Sequence, residues 1–348
     1  MKIAVDAMGG DHAPAAIVEG AIQSTIEYGL ETILVGDEKR IRDEVIKHRA
    51  TDFPITIRHA SQVVEVHESP SSALRKKKDS SIRVAIELVV KREAVAVVSA
   101  GHTGATMATA FFVFGRLNGI ERPAIATVMP TLKGVSLLLD VGANVDCKPN
   151  HLLQFAIMGE LYVKHILKVE NPKIGLLSIG EEDIKGNELT RETFKLLKHS
   201  DLNFIGNIEG RDIFTGKADV VVCDGFIGNI ALKISEGLAD AITKMLKREI
   251  AEAASGKFGY FLLKPAFKRF RKRTDYSEYG GAPLLGVNGI CVISHGLSSG
   301  KAIKNAIRVA AEFSKSGLNE RISERMSILS GHKRPSPETE LLKVKKAS

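Results

Sequence analysis

The chain has 348 residues, 44% of them apolar, enough for one large α/β unit or about two ordinary domains. No apolar run reaches the roughly 18 residues that a spanning helix requires. Met1-Lys2 leads directly into a strand-like run rather than a secretory leader, and Cys147, Cys223 and Cys291 are too scattered for a disulfide framework or a cysteine zinc site, so a reduced, cytoplasmic protein is expected. The net charge of +8 is concentrated: residues 257–273 carry seven cations and no acid, the tail after Gly331 five cations against two acids, and the remainder is slightly acidic. With aromatics at 5% and no tryptophan, a nucleic-acid partner is not expected.

In chain order, short apolar runs read as strands: KIAVD, TILVG, ITIRH, AVAVVSA, IATVMP, VSLLLD, KIGLLSIG, LNFIG, ADVVVCD and GICVIS. Helical spacing covers 13–28, 71–91, 103–115, 150–167 and 188–197. Continuous apolar strands alternating with helices predict an α/β protein with a mostly parallel sheet and helices on both faces. Residues 1–330 read as one catalytic unit and 331–348 as a disordered polar tail. A longer helix is expected from Phe226 to about Ser255, with Ile227, Ile230, Ile234, Leu238, Ala241 and Met245 on one stripe, packed on its own core or on a second copy. Beyond it, GKFGYFLLKPAFKRFRKR has an apolar side and a basic side, which suits a membrane interface, an acidic carrier protein or the body of the chain.

Five strands end in glycine and small polar residues: VDAMGGDHAP, VVSAGHTGA, LLDVGANVDCKP, LLSIGEEDIKGNE and VVVCDGFIGN. Glycines let a backbone approach an anion closely, and helix starts offer free N–H groups to it, so the loops suit phosphate or another oxyanion at the carboxyl ends of the strands. Nucleotide motifs fail. The first loop has Gly9-Gly10 where a dinucleotide site needs G-x-G-x-x-G, and GLSSGKA is one residue short of a P-loop and ends in alanine. Lys185, beside Gly186 and Asn187, is placed to meet a phosphate as a point charge, or is a solvated loop lysine. Asn229 presents an amide to a carbonyl oxygen, or caps a helix. Asp6, Asp140 and Asp224 each end a strand and suit orienting a neighbour; Cys223 reads as core.

These loops, together with GNIEGRDIFTGKADVVVCDGFIGN, DYSEYGGAPLLGV and KAIKNAI, resemble in order and position the bacterial phosphate acyltransferases of phospholipid synthesis (PlsX type), over residues 1 to about 317. The resemblance implies a fold like that of the phosphate acetyltransferases and the isocitrate dehydrogenase group. It also implies a homodimer without cofactor or metal that moves a long-chain acyl group from acyl-carrier protein to orthophosphate. Peripheral contact with the membrane and with a downstream membrane acyltransferase would follow. It makes Lys185 and Asn229 the catalytic pair. Asp6, Gly9, Gly10, Gly101, His102, Thr103, Gly104, Asn187, Asp224 and Gly228 become the phosphate- and substrate-binding candidates. Two positions depart from the family: His102 stands where asparagine is usual, and Leu297 where serine is common. Alternatives are a short-chain acyl transferase using coenzyme A, an isocitrate dehydrogenase-type oxidoreductase and a noncatalytic membrane scaffold.

Overall fold

The computed structural model describes residues 1–65, 67–252, 265, 270 and 278–329. The basic amphipathic segment expected at 257–273 lies, but for residues 265 and 270, outside the described residues, as does the tail 331–348. The first half contains β1 (Lys2–Asp6), α1 (Ala15–Tyr28), β2 (Glu31–Gly36), α2 (Glu38–Lys47), β3 (Ile55–His59), α3 (Pro70–Lys76), α4 (Ser81–Val90), β4 (Ala96–Ser99) and α5 (Thr103–Phe114). Next come β5 (Ala124–Thr131), β6 (Gly134–Leu139), α6 (Pro149–His165), β7 (Ile174–Leu177), α7 (Glu188–Lys198), β8 (Phe204–Ile208), a 3₁₀ turn (Gly210–Phe214), β9 (Val220–Val222) and α8 (Gly225–Glu252). The chain closes with β10 (Ala282–Leu285), β11 (Cys291–Ile293), α9 (Gly300–Ser316) and α10 (Leu318–Leu329).

All eleven strands join one sheet in the order β3-β2-β1-β4-β11-β10-β5-β6-β9-β7-β8. Antiparallel pairing is confined to β11–β10, β10–β5 and β5–β6, so the expected mostly parallel α/β sheet is present. Those three reversals have a consequence that strand propensity does not reveal: β6, β9, β7 and β8 run opposite to β1, β2, β3, β4 and β11. The strands therefore have two carboxyl edges, at opposite ends of the sheet. The glycine loops do not all share one.

Side chains alternate between the two faces, as a strand's period of two requires. Ala4 and Val97 join a core cluster with Ile82 and Ile86 of α4 and Phe114 of α5. Ile3, Val5 and Val98 face the other way, onto Ile17 and Val18 of α1 and Ile303 and Ile307 of α9. A third cluster centres on Phe155 of α6, with Leu137, Leu139 and Phe313. Helices thus cover both faces. The α1–α9 contact depends on Gly20, where an added Cβ would lie 2.6 Å from Ile303 Cβ and 2.7 Å from the Gly300 carbonyl oxygen.

One expectation is corrected, one strand was not foreseen, and one of two alternatives falls. The helix expected over 71–91 is two helices: the chain leaves α3 at Lys77 and re-enters at α4 after an extended Ser80, while Asp79 turns outward to accept from Ser61. Short β10 sits inside the tyrosine-glycine motif, where Pro283 hides a strand signal. The long helix is present as α8, but its stripe does not pack on its own core. Ile227, Ile230, Ile234, Leu238 and Met245 are exposed, and only the neighbouring Ala231 and Leu232 touch the core.

Because overpacking costs about 1–3 kcal/mol, Gly20→Val is expected to destabilise the fold by at least that range's midpoint, measured by urea unfolding. A variant as stable as the parent would refute the close α1–α9 packing.

Candidate active site

At the first carboxyl edge, Asp6 ends β1 and is buried. Its carboxylate accepts from Met8 N at 3.2 Å and Ser99 Oγ at 2.8 Å, which ties the end of β1 to the end of β4. Burial pushes the Asp6 carboxyl above its usual range, and hydrogen bonds from Ser81, Ser99, Met8 and Gly9 pull it back. Gly9 and Gly10 serve the packing of loops on one another. An added Cβ on Gly9 would lie 2.7 Å from Gly101 N, and Gly10, at φ +100°, has the Gly296 and Ala100 carbonyl oxygens close by. Together with Val63, Val64, Ser81, Ala105 and Thr106, residues Asp6, Gly9, Gly101 and His102 line a small hollow.

His102 occupies the N-cap of α5, and its Nδ1 accepts from Ala105 N at 3.2 Å. Asparagine Oδ1 performs the same task at an N-cap. The departure at this position therefore preserves the cap. Because Nδ1 accepts, the ring proton is on Nε2. Thr103 and Gly104 begin α5, where Gly104 packs near Pro70 of α3.

At the opposite edge, Asp140 follows β6 and is fully buried. Its carboxylate accepts from the backbone N–H of Ile125, Gly142, Ala143 and Asn144, and from Asn144 Nδ2. Burial raises its pKa, opposed by these donors. The folded loop 141–144 then holds the start of α8: Asn229 Nδ2 donates to Val141 O at 3.1 Å, and Gly225 N to Asn144 O at 2.7 Å. Gly228 presses so closely on this loop that an added Cβ would lie 1.8 Å from Asp140 O. Asp224 Oδ1 accepts from Phe226 N and Ile227 N, so it fills the helix terminus that an anion would otherwise use. Asn229 is exposed at the start of the second turn of α8, and with one N–H on Val141 it retains a second for a ligand. Cys223 is core: burial pushes its thiol well above the usual value.

Lys185 stands on the loop after β7, at this second edge. It is exposed, and no carboxylate pairs with it among the described residues. Two of the three neighbouring acids are engaged elsewhere, Glu181 by Lys217 at 2.7 Å and Asp183 by Lys198 at 3.1 Å, and the third, Glu182, turns its carboxylate toward Gly180. The aliphatic stem of Lys185 crosses Gly180, where an added Cβ would meet Lys185 Cγ at 3.1 Å. Asn187 caps α7 by accepting from Thr190 N at 2.9 Å. The structure thus gathers Asp6, Gly9, Gly10, Gly101, His102, Thr103 and Gly104 at one edge, and Lys185, Asn187, Asp224, Gly228 and Asn229 at the other. Sequence reasoning missed Gly180, Asn144 and Asn207: the first two act through the folding of their own loops, and the third from within a strand.

Residues 1–321 match the family described as "Fatty acid synthesis protein". A phosphate acyltransferase from Trichlorobacter lovleyi is 59% identical over 327 residues, 94% of this chain and 95% of that one. The chain belongs to the phosphate acyltransferase family. A Geobacter sulfurreducens member is 58% identical over 326 residues, covering 94% of each chain. Among solved structures, a phosphotransacetylase from Streptococcus pyogenes superposes with a TM-score of 0.62 at 19% identity, over 90% of this chain and 94% of that one. A branched-chain phosphotransacylase from Enterococcus faecalis gives 0.57 at 14% identity, over 91% and 99%. These two likenesses concern the fold.

An N-cap residue contributes about 1 kcal/mol. His102→Asn is expected to match the parent in thermal stability, whereas His102→Leu should lose about that amount; equal melting of both variants would refute the cap.

Proposed function

We infer that the chain transfers a long-chain fatty acyl group from acyl-carrier protein to orthophosphate, giving acyl phosphate for phospholipid synthesis. The observation that carries this reading is the 59% identity to a named phosphate acyltransferase across nearly the whole chain. A phosphate oxygen attacks the thioester carbonyl carbon, the C–S bond breaks, and the carrier thiolate leaves and takes up a proton from solvent. Phosphate is the nucleophile, so no side chain needs to form a covalent intermediate.

Lys185 neutralises phosphate charge and holds it within reach of the carbonyl, turning a bimolecular encounter into a positioned one. The second N–H of Asn229 stabilises the developing oxyanion; one such donor contributes on the order of 3 kcal/mol. Exposed Ile179, Ile184, Val145 and Phe226 on the same edge offer apolar surface to an acyl chain.

The working unit is a homodimer. Support comes from the exposed stripe of α8, which a second copy would cover. No described helix is long and apolar enough to cross a membrane. Contact with the membrane and its acyltransferase is assigned to the basic segment 257–273, and sedimentation with anionic and neutral vesicles tests it: binding to neither rejects the assignment.

Lys185→Ala is expected to remain a folded dimer with acyl phosphate formation reduced by about two orders of magnitude, the scale of losing one well-placed stabilising group. Carrier thiol release and hydroxylamine-trapped product measure it, and near-normal turnover would remove this lysine from the mechanism. Acyl coenzyme A used as efficiently as acyl-carrier protein would replace the assigned donor. Leu238→Asp should shift the particle to a monomer in light scattering; an intact dimer would clear α8 of the interface.

A further inference from the structure

Lys185 is exposed, yet its backbone is anchored from below by a buried side chain with no part in the reaction as described. Asn207 lies on β8 opposite Leu176 of β7 and is 3% exposed. Its Nδ2 donates to the Glu182 carbonyl oxygen at 2.9 Å. The same oxygen accepts from Lys185 N at 3.0 Å, closing the turn that carries the lysine. The other end of the amide is unmatched: Asn207 Oδ1 has no hydrogen-bond partner among the described residues.

A buried polar atom without a partner is destabilising, and strand interiors favour β-branched residues over asparagine. The position therefore disfavours asparagine on stability alone. What the residue supplies is one N–H aimed at Glu182. The remaining ties on the loop, Lys217–Glu181, Lys198–Asp183 and Arg191 to the Gly186 carbonyl, are made by exposed side chains, which hold geometry weakly in water.

We propose that Asn207 is a positioning residue for Lys185: by fixing the Glu182 carbonyl it sets the turn from which the lysine meets phosphate. This rests on the reading of Lys185 as the phosphate-binding cation. The bond is one strand away from the lysine and touches no substrate, so its effect passes entirely through the backbone of residues 182–185.

Asn207→Leu removes the donor while keeping the same branched set of side-chain heavy atoms. Misplacement of a reacting group by about 1 Å can cost up to about a hundredfold. The expected result is a kcat at least about tenfold lower and a raised KM for phosphate, with KM for acyl-carrier protein unchanged and a cooperative melt retained. In a Lys185→Ala background the same substitution should cause no further loss. Asn207→Asp supplies a donor only when protonated, so its activity relative to the parent should rise as pH falls. A kcat for Asn207→Leu within twofold of the parent, or a loss that multiplies with that of Lys185→Ala, overturns the proposal. If Asn207→Leu does not fold, a pH-independent ratio for Asn207→Asp overturns it. Lys185→Ala turning over like the parent fails the underlying reading instead, and that variant leaves Asn207 intact.

Discussion

The reversal of strand direction at β10, β5 and β6 governs the rest of the molecule. A parallel sheet places all its loop-to-helix junctions at one end, and three antiparallel pairings in its middle divide them between two ends. One end receives the glycine contacts around Asp6 and Ser99. The other receives Asp140, Asn229 and Lys185. The sheet stays continuous, so its core packs as two covered faces while its two sets of carboxyl ends point in opposite strand directions.

Polar residues at these edges mostly serve the helices that follow them. His102, Asn187 and Asp224 each accept backbone N–H bonds at the start of α5, α7 and α8. A capped terminus has fewer free N–H groups for a ligand, and at α8 the cap is itself an anion. Lys185 has no carboxylate partner among the described residues, and Glu181 and Asp183 of its loop pair with other lysines.

Most strands and the α/β class were legible because buried parallel strands are short, uninterrupted apolar runs: VVV of β9 and AVVS of β4 read as strands by their brevity and valine content rather than by any period. The break between α3 and α4 was not, since residues 71–91 keep a helical pattern through Lys77 to Ser80 and only the tertiary bond from Ser61 to Asp79 turns the chain. Strand direction was equally hidden: β6 and β9 would look the same in either orientation. Asp140 was visible as a strand-ending acid that orients its neighbours, and it does so through five hydrogen bonds. Asn207 gave no signal, because a polar residue near the end of a short strand looks like the start of a turn.

Gly9 and Gly101 touch backbone to backbone, with no side chain between them to absorb a shift. The first and fourth strands therefore deliver their terminal loops in direct contact, and Asp11 N donates to the Gly296 carbonyl oxygen at 2.9 Å beside them. A side chain added at either glycine would have to push the other loop aside.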